Sequence, residues 1–270
     1  MLAVLFFVCL VASTIGAIVG AGGGVIIKPV LDAFGVLPVS TVSFLSSVTV
    51  LCMSVSSLIR TRNNGVKLSY AVSTPLAIGA VIGGVLGKAL FECIRTSFGV
   101  EGPLGLVQSI CLIAVTALVL IYTCHKHRLP SYHVHGAISC GAIGLALGLL
   151  SSFLGVGGGP YNVTALFLFF TMEAKQAAKN SIYIIVFSQT FSILTAIISG
   201  TVPAFTWPEL IAMALGGVGG AIAGAAVSAR MHSAGVENAL KLLCAAIILI
   251  SIFNACLLYT SPSPRDAHES

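Results

Sequence analysis

Eight long apolar stretches run through this chain with almost no charge inside them, at residues 2–19, 39–59, 68–91, 103–123, 134–154, 177–199, 208–229 and 236–258. A helix of about 20 apolar residues crosses a hydrocarbon core of ~30 Å. The apolar residues do not alternate with polar ones, which argues against the strands of a membrane barrel. Only 8% of the residues are charged and 57% are hydrophobic, whereas a soluble domain carries about 25% charged residues. The solvent implied is lipid, where every backbone polar group must be satisfied internally. The expected fold is an all-α integral membrane protein with about eight transmembrane helices. Multi-pass insertion in the plasma membrane, or an organelle membrane, is the expected setting. The first stretch lacks a basic leader and an Ala-x-Ala site, so it is read as a span and not as a cleaved signal. The polar tail Thr260–Ser270 is excluded from the fold as disordered or non-native.

The chain is written twice. Gly20-Ala21-Gly22-Gly23-Gly24 closes the first span, and Gly155-Val156-Gly157-Gly158-Gly159 closes the fifth, 135 residues on. The same offset pairs Ser46 with Ser181 and Ser57 with Ser192. Gly79, Gly83 and Gly87 recur as Gly216, Gly220 and Gly224 at an offset of 137. Two similar four-helix halves are expected, 1–123 and 134–258. Four spans return a chain to its starting side, so the halves are expected to point the same way, about an axis along the membrane normal. Two short apolar pieces, 25–37 and 160–172, bear on that parity, because a crossing by each would reverse it. The positive charges of Arg60, Arg62 and Lys67 lean that loop, and with it both termini, toward the cytoplasm.

The two glycine clusters predict helix breaks. Each Gly in a helix interior costs roughly 1 kcal/mol relative to Ala. Pro29 follows the first cluster and Pro160 the second, and proline suits the first turn of a new helix. New helices are therefore expected near Val25 and Pro160. A helix start inside the membrane offers unpaired N–H groups and a positive dipole end to an anion. The spaced glycines read instead as sites of close helix approach.

Polar residues flank both breaks: Lys28, Thr41, Ser43, Ser46, Ser47 and Thr49 in one half, and Tyr161, Asn162, Lys175, Gln176, Lys179, Asn180, Ser181 and Gln189 in the other. Hydroxyls and amides donate to oxyanions, and lysine supplies charge. Acidic residues nearby are only Asp32 and Glu173, a balance that favours an anion. The candidate substrate-binding set is Gly22, Gly23, Gly24, Ser46, Ser47, Gly157, Gly158, Gly159, Asn162, Asn180 and Ser181. Lys28 and Lys179 are candidate charge partners.

Other chemistry is not called for. His125, His127, His133 and His135 stand among Lys126 and Arg128, a basic loop that repels a metal ion. The eight cysteines are scattered without a Cys-x-x-Cys pair and read as core residues. The net charge of +5 forms no basic stripe with interleaved aromatics, which excludes nucleic acid as the expected partner. No span carries an intramembrane catalytic set, so no enzyme and no cofactor are expected.

The stretches Gly16–Pro29 with Pro38–Ser47, and Gly148–Pro160 with Glu173–Ser181, resemble the TauE/SafE family of sulfite exporters and organosulfonate permeases. The resemblance covers about residues 1–258 and implies a secondary carrier of about eight helices, moving sulfite, sulfonates or related anions. A carrier of that kind uses a coupling ion, a proton or sodium. An anion-selective channel and a non-transporting membrane scaffold are the alternative readings of the same residues.

Overall fold

The computed structural model describes residues 1–35, 37–98, 101–126, 132–134, 136–154 and 158–260. Among them are ten helices and no strand: α1 (Leu2–Val19), α2 (Gly24–Phe34), α3 (Val39–Arg60), α4 (Tyr70–Phe98), α5 (Glu101–His125), α6 (Ala137–Phe153), α7 (Pro160–Phe170), α8 (Ala174–Ile198), α9 (Trp207–Arg230) and α10 (Ser233–Thr260). Seven are long and apolar enough to cross a membrane, and α5 adds a shorter apolar stretch, Ile110–His125. The chain is an integral, multi-pass membrane protein. The remaining two, α2 and α7, have 11 residues each, too few to cross as straight helices. The predicted tail lies outside the described residues beyond Thr260.

Both helix breaks fall where the glycines put them. Gly20 ends α1 in the left-handed region (φ 77°) and donates its N–H to Gly16 O at 2.8 Å. α2 then starts at Gly24, one residue before the position expected. In the second half Gly159 adopts φ 94°, ψ −156°, a conformation open essentially to glycine alone. Pro160 follows as the first residue of α7, where its missing N–H has no helical partner to lose.

The spaced glycines bring helices into backbone contact. A Cβ on Gly216 or Gly224 of α9 would stand 2.5 Å from the carbonyl oxygens of Phe6 or Thr14 on α1. Gly79 and Gly83 of α4 meet the carbonyls of Gly141 and Leu145 on α6 in the same way. So α1 packs on α9 and α4 on α6, each third span of one half against the first span of the other. The exchange is general: α3 packs on α9 as α8 packs on α4, and α2 touches α10 as α7 touches α5. The helices of residues 1–123 and 134–258 thus interleave and do not form two separate bundles.

The direction of the helices corrects the parity read from sequence. Phe6 and Thr14 meet Gly216 and Gly224 in order, so α1 and α9 run parallel. Thr41 Oγ1 donates to Ala204 O at 3.1 Å, just before α9, and Thr49 meets Gly217, so α3 runs with them. Ser73 bonds Asn180 and Lys88 bonds Ser192, so α4 and α8 run parallel to each other. The C-terminal end of α3 lies at the N-terminal end of α8, where Lys179 Nζ donates to Thr61 O at 2.7 Å. The counterparts α3 and α8 are therefore antiparallel, and the halves are inverted about an axis in the membrane plane, as in inverted-repeat transporters. The physical reason is that α2 and α7 turn back after the glycine breaks, so each half contributes an odd number of elements. The Arg60–Lys67 turn consequently lies at the end opposite Met1.

Candidate functional site

The two breaks meet inside the bundle. A Cβ on Gly159 would lie 2.7 Å from Val25 Cγ2, in the first turn of α2. Ile185, fully buried on α8, fills the space beside them: its side chain is 3.2 Å from a Cβ built on Gly22 and 3.3 Å from one built on Gly158. Val50, at the middle of α3, closes the same point at 3.5 Å from the Gly22 position. Small residues here let two backbones and one isoleucine occupy a volume that larger side chains would force apart.

Beside this contact is a cavity of about 430 Å³. α3 supplies Ser40, Ser43, Phe44 and Ser47, and α8 supplies Ser188, Gln189 and Ser192. Gly158 and Asn162 bring the second break into the wall, and Lys28 reaches it from α2. Lys88 enters from α4, exposed at the mouth, and donates to Ser192 Oγ at 2.8 Å. Among the described residues that line the cavity there are two lysines and no carboxylate. The rest of the wall includes apolar groups such as Leu147, Ile184 and Phe191. A small site with convergent hydroxyl and amide donors, two ammonium groups and apolar sides is suited to an anion.

The candidate residues divide. Lys28, Ser47, Gly158 and Asn162 line the cavity. Ser47 Oγ also donates to Ser43 O at 2.9 Å, which is how a serine is satisfied within a helix. Gly22, Gly23 and Gly24 do not line it: Gly23 packs against Ser13, Gly22 lies beneath Ile185, and Gly24 opens α2. Ser46 is buried away from it. Ser181 Oγ donates to Gly20 O at 2.6 Å and ties α8 to the end of α1. Asn180 is engaged on both sides, accepting from Ser69 N at 2.9 Å and Ser73 Oγ at 2.6 Å and donating to Gln176 O at 2.7 Å. Lys179 binds the carbonyls of Thr61 and Val66 at 2.7 and 2.8 Å, at the opposite end of the molecule. Gly157, and with it Gly155, Val156, His127 and His135, lies outside the described residues.

Two cavity features were missed in the sequence. Lys88 was not among the sequence candidates. Nor were Ser188 and Ser192, although the recurrence of Ser57 at Ser192 was a usable signal.

The architecture is that of a multi-pass membrane protein of inverted halves with broken helices and a polar cavity beside the breaks. The chain belongs to the sulfite exporter TauE/SafE family, whose description fits residues 5–254. It is 26% identical over 252 residues to the "Probable membrane transporter protein YunE" of Bacillus subtilis, covering 83% of this chain and 87% of that protein. It is 27% identical over 155 residues to a "Probable membrane transporter protein" of Haemophilus influenzae, covering 54% of this chain and 53% of that one. No solved structure matches the chain.

Proposed function

We propose that this transporter is a secondary carrier of a small anion, with the cavity between α3, α4 and α8 as its substrate site. The observation that carries the reading is the pairing of Lys28 and Lys88 around serine, asparagine and glutamine donors, with no carboxylate among the described lining residues. Lys28 and Lys88 supply charge, while Asn162, Gln189 and the serines of α3 and α8 supply directed donors. Membership of the family makes sulfite or an organosulfonate the substrate to test first. The apolar wall suits the organic part of a sulfonate. Downhill movement of a proton or sodium would drive accumulation.

The packing of Val25, Gly159 and Ile185 at the two breaks is the contact that a carrier would have to open, and flux kinetics separate a carrier from an anion channel. Uptake of labelled sulfite, sulfate, thiosulfate and an alkyl sulfonate into proteoliposomes tests the reading. Saturable flux with counter-flow of at least one of them is expected. Large non-saturating currents would mean a channel, and absence of flux for all four would leave the scaffold reading.

A further inference from the structure

A second cleft, of about 360 Å³, lies at the far end of the molecule, between the C-terminal ends of α1, α3 and α9 and the N-terminal end of α8. Its walls are the repeat images of the first cavity. Lys175, Lys179 and Ile182 of α8 line it, and 135 residues earlier stand Ser40, Phe44 and Ser47 of α3, which line the first. On the facing wall Ser57 of α3 and Thr61, just after it, line the second cleft, and their counterparts Ser192 and Ala196 of α8 line the first. An inverted repeat places such matched surfaces at opposite membrane faces.

We propose that this cleft is the second mouth of the transport pathway, an anion-binding vestibule held shut in this structure by Lys179. The proposal rests on the carrier reading above. The chemistry is again that of an anion site: Lys175 and Lys179 are the charged residues among those described in its lining, with Asn63, Asn64 and Ser57 as donors beside them. Lys179 spans the cleft from α8 and fastens the turn after α3 through the carbonyls of Thr61 and Val66. Its image in the first cavity is Phe44, whose ring makes no such clasp and packs on Phe205 at 5.8 Å between centroids. Ile182 lines the second cleft and Ile184 the first, and Ile185, the next residue on α8, packs against both Gly22 and Gly158. Opening the second mouth would uncover the Gly22–Gly24 break, as the first cavity uncovers Gly158.

Thiol labelling of the full-length chain in liposomes reads the exchange. Single cysteines are placed at Ser47, in the first cavity, and at its image Ile182, which is buried. Labelling by a membrane-impermeant maleimide is measured above the background of the native cysteines. With Lys179 intact, Ser47→Cys labels readily and Ile182→Cys only slowly. Adding Lys179→Met is expected to raise labelling at Ile182→Cys by about tenfold, as hydrogen bonds to a charged group are among the stronger ones, and to lower it at Ser47→Cys. Lys179→Arg is expected to restore the original pattern. Should Lys179→Met fail to fold, Lys179→Gln carries the same comparison. No change at Ile182→Cys, or a rise at both cysteines together, overturns the proposal. The assay needs no transport: exchange of labelling without anion flux sinks the carrier reading alone, and saturable flux without exchange sinks the second mouth alone.

Discussion

Val25 and Gly159 touch at the centre of the molecule, with Val25 Cγ2 2.7 Å from where a Cβ on Gly159 would stand. Val25 lies in the first turn of α2 and Gly159 directly precedes α7, and their meeting is the point at which the duplicated glycine clusters become one structure. Gly159 is doubly constrained, by that contact and by a backbone conformation of φ 94°, ψ −156°. Gly159→Ala is expected to destabilise the protein by about 1–3 kcal/mol, read as a lower thermal midpoint in detergent. Adding Val25→Ala should relieve the contact and recover only part of the loss, because the backbone strain remains. Full recovery would show that the conformation itself costs nothing.

Gly83 and Gly84 are neighbours on α4 with opposite surroundings. A Cβ on Gly83 runs into the carbonyl of Leu145, whereas one on Gly84 has only Ser152 Oγ near it, at 3.5 Å. Gly83→Ala should push α4 off α6 and cost about 1–3 kcal/mol. Gly84→Ala should be neutral, or stabilising by up to about 1 kcal/mol. Unfolding of the two variants side by side in the same detergent checks the pair, and equal destabilisation would contradict the packing described.

Lys88 is exposed at the mouth of the cavity and bonded to Ser192. Removing its charge with Lys88→Met should raise KM for the transported anion roughly tenfold, given about 1.5–3 kcal/mol for a charged hydrogen bond. Lys88→Arg should stay close to the parent. Raised salt should weaken substrate capture in the parent and less so in Lys88→Met, because exposed charges are screened. A KM indifferent to the charge at residue 88 would remove this lysine from the site.

Asn180 was a candidate ligand, and its bonds to Ser69, Ser73 and Gln176 make it a clamp between α8 and the start of α4. Asn180→Ala leaves buried partners unmet and should cost about 1–3 kcal/mol of stability. The fraction that folds should keep the parent KM. A raised KM at unchanged stability would return Asn180 to the substrate site.

The roles of individual polar residues divide by what their neighbours leave open. Lys28, Ser47, Gly158 and Asn162, which line the cavity, were legible as candidates because they sit beside helix breaks that the glycines and Pro160 announce. Ser181 carried the same signal and proved to be bonded to Gly20 O. Repetition marks a position that both halves need, and a tie between a helix and a break is needed as much as a ligand is. Lys88 gave no local sign, since its relation to Ser192 spans 104 residues.

The amino-acid sequence by itself determined the membrane class, the duplication and the two breaks. These follow from local properties: unbroken apolar runs need lipid, and glycine clusters cannot sustain a helix. It left the relative direction of the halves undecided, because an 11-residue helix after a break satisfies its own backbone whether it continues onward or turns back. Only the tertiary structure decided that, through the facing of Gly216 and Gly224 on Phe6 and Thr14 and of Lys179 on Thr61. Those contacts invert one half against the other, and so set where the cavity lies.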